Sequence, residues 1–586
     1  MQRAGVVVMA AVLAGVPVAT AQSAPDGAIV TEDPTIGLAG LDPDDGAPPS
    51  VPLSADDLEP VEVDDPRFDQ QWYLGATRVP QAWRLTRGAP EITVAVIDTG
   101  IDPYHFDARG MFWVDPQDGS AGRDLVEGTR EIYGGPVQDW HGTAVAGVLA
   151  ARADDGYGVA GVAPNVSVMA MRIYVSTTST TPPRLVGYAS AISAIEQATA
   201  LGADVILLTW NGDQQNLRLR SAIAAAGVPV VVAAGNNDLD LSDPATTERR
   251  YPAMLRLPNM ITVTASNTDD GVWVDGPGLG ANVGMRHVDI AAPGELIYAP
   301  HAGGTHRWHF GTSFAAPQVA GALALALSLV PRAAPAELIG ELSRTARPAE
   351  AFADKTTSGG ILDVAAFLTA VQRLACVDGL PDAGFVDVHP GSTHALSVDC
   401  ITAFGLAAGT SEGRFSPSRP VTRGQMATFL SRTLARAGAL PEAADLEQPA
   451  SADDASFDDT FGTTHAATIE ALTELGITRG YDDGSFRPQA HVNRAQMATF
   501  LVRTVEHLTG DAYVPSRLWF DDIAGTTHEI SIGAARDLAI TFGSSQPRIF
   551  EPRRTLSRAQ MSSLLARTLD AMAREGVEVT RPSGAR

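Results

Sequence analysis

From about residue 92 the chain alternates short apolar runs with longer segments of helical periodicity. ITVAVI (92–97), VSVMAM (166–171), DVILLT (204–209), VPVVVA (228–233) and MITVTA (260–265) are rich in β-branched residues and apolar at consecutive positions, as strands buried on both faces require. Between them GTAVAGVLAAR (142–152), VGYASAISAIEQATALG (186–202) and LRLRSAIAAAG (217–227) repeat their apolar positions at helical spacing. This alternation predicts an α/β fold with a mostly parallel sheet and helices on both faces, whose functional groups belong at the carboxyl ends of the strands. The run FAAPQVAGALALALSLV (314–330) is apolar almost throughout but contains Pro317 and Gln318. At about seventeen residues it is short for a membrane span, so it predicts a buried central helix.

Beyond about residue 375 the pattern becomes a repeat. VTRGQMATFLSRTL, VNRAQMATFLVRTV and LSRAQMSSLLARTL begin at 421, 492 and 556. Each follows a segment in which an amphipathic helix starts after a histidine, His394, His465 or His528. Three helix-loop-helix units that bury together what one cannot bury alone predict an all-α domain, with the recurring histidines in structural hydrogen bonds.

The amino terminus has a different character. Arg3, the apolar run GVVVMAAVLAGVPVA and the small-x-small site Ala19-Thr20-Ala21 predict an export signal over 1–21. A membrane anchor is the competing reading, but the run is short and contains Pro17. A mature chain would then carry no transmembrane segment. Residues 22–65 contain twelve acidic residues and no lysine or arginine, which predicts a solvated flexible arm or a short pro-segment.

Composition narrows the partners. The chain has 586 residues, 45% of them hydrophobic, enough for more than one packed core. The 42 basic and 68 acidic residues give a formal charge of −26, which opposes nonspecific attraction to a phosphate backbone and excludes nucleic acid as an expected partner. Cys376 and Cys400, the only cysteines, lack metal-site spacing. In an exported protein they form one disulfide across a modest loop or stand as two buried thiols.

Four polar residues stand at strand ends or helix starts. Asp98 follows ITVAVI, His141 precedes Gly142-Thr143 and a helix, Asn236 follows VVVAAG, and Ser313 precedes the central apolar run. Taken singly, Asp98 and Ser313 read as caps, His141 as a structural histidine and Asn236 as a turn residue. Taken together they supply a hydroxyl nucleophile, an imidazole to accept its proton, a carboxylate to orient the imidazole, and an amide to donate to an oxyanion.

The motifs containing these residues, VAVIDTGID, HGTAVAG, AAGN and GTSFAAPQVAG, resemble those of the subtilisin-like serine proteases, or subtilases. QQWYLGATRVPQAW, YPA (251–253), VDIAAPG (288–294) and GGILDVAAF extend the resemblance over roughly 66–373. It implies a subtilisin-like doubly wound sheet and peptide-bond hydrolysis through an acyl-enzyme, with Asp98, His141 and Ser313 as triad and Asn236 in the oxyanion hole. It implies substrate binding along Thr209, Trp210, Asn211 and Gly212. No cofactor serves the chemistry; structural Ca2+ is frequent in the family, but no acidic cluster has a spacing that identifies its ligands. Trp140 and Asn211 depart from the family pattern and predict an altered, narrower cleft.

The repeats resemble S-layer homology modules, which hold exported bacterial proteins to cell-wall polysaccharide. Arg423, Arg494 and Arg558 match that family's ligand-contacting arginine, whose fork suits anionic groups; snorkelling or capping on their own helices is the competing role. Gln425, Gln496 and Gln560 stand where the family commonly has glutamate. The expected organisation is a signal over 1–21, an arm over 22–65, a peptidase domain over 66–373, repeats over 377–436, 456–509 and 518–572 with a linker over 437–455, and a flexible tail over 573–586. The expected function is that of a secreted serine endopeptidase attached to the cell wall and acting on proteins or peptides. The alternative is a catalytically inactive subtilisin-like wall-binding protein.

Overall fold

The computed structural model describes residues 55–582 except 138, 176–183, 186, 332, 373–375, 377–379, 381, 390–393, 412, 517–518, 542 and 545–548. The expected signal at 1–21 and most of the acidic arm lie outside the described residues.

The apolar runs form the central strands of a nine-stranded sheet. Its strands are β1 (Thr93–Asp98), β2 (Gly122–Asp124), β3 (Ser167–Arg172), β4 (Val205–Leu208), β5 (Val230–Ala233), β6 (Met260–Ser266) and β7 (Ile290–Pro293), with β10 (Arg347–Pro348) and β11 (Gly360–Ile361) at one edge. The order is β10-β11-β7-β6-β5-β4-β1-β3-β2. All pairings are parallel except β10 with β11. Strands β8 (Ile297–His301) and β9 (Thr305–His309) form a separate antiparallel hairpin.

Two apolar faces explain the consecutive apolar positions of the strands. Val94 and Val96 of β1 pack toward α1 (Trp140–Ala150) and α4 (Thr312–Leu329). Ala95 and Ile97 pack on the opposite side toward α2 (Tyr188–Ala200) and α3 (Leu217–Ala225). Helix α4 is long and apolar enough to cross a membrane, yet 89% of it is buried inside the protein, so its hydrophobicity serves the core. Helices α5 (Pro335–Arg344) and α6 (Val364–Gln372) complete the layer on that face.

The carboxyl-terminal part is helical: α7 (Ala395–Ala403), α8 (Arg423–Arg436), α9 (Ala466–Glu474), α10 (Arg494–Thr509), α11 (Glu529–Asp537) and α12 (Arg558–Arg574). Helix α8 packs on α9, α10 on α11, and α12 returns to α7. The three segments leading into α8, α10 and α12 close a backbone ring. Val421 N–H donates to the Leu556 carbonyl (3.1 Å), Leu556 N–H to Val492 (3.2 Å), and Val492 N–H to Val421 (3.0 Å). Each helix starts with a capping box in which the N-cap, Thr422, Asn493 or Ser557, bonds reciprocally with Gln425, Gln496 or Gln560. Glutamine thus satisfies the backbone here as glutamate would. His394 Nδ1 bonds to Ser563 Oγ, His465 to Thr428 Oγ1 and His528 to Thr499 Oγ1, all at 2.8 Å, so each histidine pins one unit to its neighbour.

Two features differ from the sequence expectation. The last residues of the predicted arm dock on the peptidase domain: Leu58 is buried, Val61 N–H donates to the Pro80 carbonyl at 3.1 Å, and Asp65 is buried. Up to residue 582 the predicted flexible tail also folds back, with Val577 and Val579 against the helical core and Thr580 N–H donating to the Arg436 carbonyl at 3.0 Å. Small apolar side chains on short segments carry too little periodic signal to reveal such docking. The two domains also meet through buried charges: Arg574 pairs with Glu341 of α5 at 2.5 Å. Cys376 and Cys400 are disulfide-bonded, and Cys376 N–H donates to Asp570 Oδ1 at 3.0 Å.

Candidate active site

Asp98 is the last residue of β1, in register with Arg172 of β3. Its carboxylate receives donors only. His141 Nδ1 lies 2.9 Å from both oxygens, Thr99 N–H donates to Oδ1 at 2.6 Å, and the Thr209 hydroxyl donates to Oδ2. Burial alone would raise this carboxyl's pKa, but the His141 imidazole and these hydrogen bonds outweigh it and hold the group below its usual range. His141 reaches the carboxylate because α1 begins one residue earlier and lies tight against the β1 turn. A Cβ on Gly142 would stand 2.2 Å from the Gly100 carbonyl oxygen.

Arg172 braces the turn from below, donating to the Thr99 carbonyl at 3.1 Å and pairing with Asp124 at 2.7 Å and Asp139 at 3.4 Å. Asp139 precedes α1. Burial pushes its carboxyl up to about 6 despite bonds from the Gly134 and Gly135 N–H groups and Arg172.

Ser313 is the second residue of α4 and 5% exposed. Its hydroxyl donates to the Thr209 carbonyl at 3.4 Å, so Thr209 links the carboxylate to the serine. In the first turn of a helix the Ser313 N–H has no intrahelical acceptor. Asn236 lies beyond β5, and its Oδ1 accepts from Thr312 N–H and the Thr312 hydroxyl, each at 2.9 Å. Those bonds fix the amide with Nδ2 as the outward donor. Gly311 makes room for it, with φ 108° and a Cβ position only 2.7 Å from Nδ2.

An aromatic wall, unseen in the sequence reading, flanks the imidazole. Trp140 stacks on His301 at 5.5 Å and on His309 at 5.8 Å, and meets His141 edge-on at 5.4 Å. Phe314 closes on His309 and His141 at 4.8 and 5.5 Å. Trp140 is therefore built into the wall beside His141. Burial, with help from Arg307 and His105, pushes His301 down to about 4; burial, His301, His141 and Arg307 push His309 down to about 3. Both stay neutral in the fold while the same imidazoles in the unfolded chain protonate below their ordinary value of 6.5. Their stabilisation is complete above pH 6.5 and is lost as pH falls toward 4 and then 3. A His309→Phe variant is expected to lose about 3 kcal/mol less than the wild type between pH 6.5 and 4, measured by denaturant unfolding across that range.

The segment expected to bind substrate is only partly free to do so. The Trp210 side chain is 2% exposed and packs on Tyr188. The Asn211 amide turns inward to donate to the Ala233 carbonyl at 2.9 Å. Gly212 exchanges both backbone bonds with Tyr251, which removes its main chain from any substrate ladder. Among the described residues, no other segment engages the main chain of Trp210 and Asn211.

The one cluster of three carboxylates among the described residues is a poor calcium site. Asp64, Asp65 and Asp154 approach one another, but Asp65 accepts the N–H groups of Asp154 and Asp155, while Asp154 accepts Asp64 N–H and pairs with Arg87. A guanidinium and backbone donors already compensate these oxygens, whereas Ca2+ needs six to eight oxygen ligands.

The three wall-ligand candidates make inward contacts between units, the structural role that competes with ligand contact. Arg423 Nε donates to the Phe486 carbonyl (2.8 Å), Arg494 Nε to Phe550 (2.7 Å) and Arg558 Nε to Phe415 (2.8 Å). Each guanidinium lies over the ring of that same phenylalanine at 4.4–4.7 Å. Arg494 and Arg558 donate a second bond, to Gly543 and Ala408. Each arginine therefore staples its unit to the next around the ring. Arg558→Ala is expected to cost about 3 kcal/mol, from a charged hydrogen bond and a desolvated cation–π contact. Arg558→Lys should recover only part of it, read from the urea midpoint.

The S8 peptidase model of the subtilase family matches residues 89–366. S-layer homology domains match 385–427 and 456–498. Subtilisin DY of Bacillus licheniformis is 34% identical over 258 residues, 44% of this chain and 83% of that protein. Thermitase of Thermoactinomyces vulgaris is 32% identical over 269 residues, 45% of this chain and 85% of that protein. Fervidolysin of Fervidobacterium pennivorans is 33% identical over 298 residues, 47% of this chain; the matched region spans only 40% of fervidolysin's length.

Proposed function

Because the chain belongs to the subtilase family and carries S-layer homology domains, we propose that it is an exported endopeptidase, held at the cell surface, that cleaves peptide bonds through an acyl-enzyme. Ser313 Oγ bonds to the scissile carbonyl carbon as its proton passes to His141 Nε2. This requires the hydroxyl to leave the long bond to Thr209 for His141, a tightening common once substrate is bound. Asn236 Nδ2 and Ser313 N–H donate to the resulting oxyanion, with the positive end of α4 behind them. The C–N bond then breaks, and His141 returns the proton to the departing amine. Water repeats the sequence on the acyl carbon, giving up a proton to His141 and releasing Ser313. An extended substrate pairs with the free main chain of Trp210 and Asn211.

The observation that carries this reading is the donor-only shell around Asp98, which holds His141 at 2.9 Å while Thr209 ties Asp98 to Ser313. The purified wild type should take up a fluorophosphonate on the peptide containing Ser313, identified by mass spectrometry. No labelling under conditions that label another serine protease would count against it.

For the helical part we propose three S-layer homology repeats, the third over 518–572, that together bind anionic wall polysaccharide in the grooves between units. The stapling arginines fix those grooves. Full-length Ser313→Ala protein should sediment with wall fragments and be released by soluble wall polysaccharide; failure across several wall types would leave the repeats as protein-binding modules.

A further inference from the structure

Hairpin β8–β9, which carries His301 and His309 to the wall beside His141, is attached elsewhere by a second cluster. His306 of β9 meets His105 and Asp107, which lie just beyond the Asp98 turn, with three ligand atoms mutually within 4.8 Å. We propose that His105, Asp107 and His306 bind one divalent transition-metal ion of the zinc class, fastening this hairpin to the peptidase domain.

The chemistry of the donor set argues for this class. Two imidazole nitrogens and one carboxylate oxygen suit zinc, cobalt or nickel, and are poor ligands for calcium or magnesium. Asp107 is 1% exposed, and among the described residues it pairs with no arginine or lysine. Its partners are Val159 N–H at 3.0 Å on Oδ1, and on Oδ2 the imidazoles of His105 at 3.3 Å and His306 at 2.6 Å. A buried carboxylate with only imidazoles for counter-charge is a place where a cation is stabilised.

The tautomer of His105 follows from its other nitrogen. Nε2 lies 2.9 Å from the Thr305 carbonyl oxygen, which can only accept, so Nε2 carries the hydrogen. In the neutral ring Nδ1 then bears the lone pair, which accepts one long bond from Asp107 N–H at 3.3 Å and also lies 3.3 Å from Asp107 Oδ2. An acceptor nitrogen this close to a buried carboxylate oxygen is relieved by a cation that both can ligate. A ring N–H donated to a backbone carbonyl is also the arrangement that orients metal-ligating histidines.

The separations from Asp107 Oδ2 are close to those around a tetrahedral ion, and the two imidazole nitrogens lie within 4.8 Å of each other. Metal–ligand bonds of about 2.0–2.1 Å place ligand atoms roughly 3.3 Å apart, the separation of His105 Nδ1 and Asp107 Oδ2. His306 would move outward by about 0.7 Å to reach the same separation. It can do so because β9 is largely exposed, while Tyr298 stacked at 5.8 Å and His105 edge-on at 5.1 Å keep its ring aimed at the site.

The test is a binding measurement independent of peptidase activity. Full-length Ser313→Ala protein, which cannot digest itself, is stripped with chelator and titrated with Co2+, then Zn2+. One equivalent of Co2+ should give the visible bands of a tetrahedral complex, and Zn2+ should abolish them. Adding His306→Ala should remove the bands, whereas adding His507→Ala, at an exposed histidine in the helical part, should keep them. Zn2+ should also raise the thermal midpoint of the His306-containing protein and leave the His306→Ala protein unchanged. A spectrum without tetrahedral bands, or bands of equal strength in the His306→Ala protein, would overturn the proposal.

Discussion

Ser313→Ala is expected to abolish peptide hydrolysis while leaving the fold intact. The loss should be on the order of 10⁶ in kcat, the scale that deleting the nucleophile reaches in subtilisin itself. Little structure depends on the hydroxyl: its one hydrogen bond, to the Thr209 carbonyl, is long at 3.4 Å. The start of α4 is instead secured by Thr312, which bonds Asn236 through its N–H and its hydroxyl. The variant should therefore unfold within about 0.5 kcal/mol of the wild type. What activity remains belongs to Asn236 and the Ser313→Ala backbone N–H, which can still polarise a bound carbonyl for attack by water. The check is kcat/KM on a peptide library alongside a denaturation curve. Activity within tenfold of wild type would mean that another group attacks the substrate.

The strands that place these residues were legible because a doubly covered sheet demands consecutive apolar residues; β1, β3 and β6 lie within a residue or two of their sequence positions. Asp98, His141, Asn236 and Ser313 were legible through their neighbours, since glycines and small residues mark sharp strand-to-helix turns. The support around them was not. Thr209 was singled out for substrate contact, yet its hydroxyl goes to Asp98, a bond made across the sheet with no local signature. Hairpin β8–β9 reads IYAPHAGGTHRWH, with histidines where a core strand would have aliphatic residues. Its function is to present imidazoles sideways to Trp140, which depends on tertiary packing. The arginine staples were recognised as special and given a different task, because the carbonyls they reach belong to the next unit, and for Arg558 to a unit 143 residues away. Sequence periodicity reports which face of an element is buried, but not which element buries it.

Asp98→Asn should lower kcat by about 10⁴ with a much smaller change in KM, the scale known for this substitution in a serine-protease triad. The reason lies in the direction of the hydrogen bonds. The carboxylate accepts from Thr99 N–H, from the Thr209 hydroxyl and from His141 Nδ1. An amide of the same shape keeps one accepting oxygen and adds two hydrogens. Thr99 N–H cannot reverse, so the amide oxygen should remain at the Oδ1 position and Nδ2 should take the Oδ2 position, 2.9 Å from His141 Nδ1, where its hydrogens face Thr209 and His141 and compete with the oxygen for that nitrogen. Thr209 can rotate its hydroxyl to accept. His141 can accept only by moving its hydrogen from Nδ1 to Nε2, the atom that must take the proton from Ser313. The histidine would then be correctly placed but in the wrong tautomer, so the variant should fold, bind substrate and fail at the first proton transfer. Imidazole nitrogen NMR shifts, read on protein made inert at Ser313, should show Nε2 protonated in the Asp98→Asn variant and Nδ1 protonated otherwise. The same tautomer in both, or a kcat within tenfold of wild type, would show that Asp98 does not orient His141.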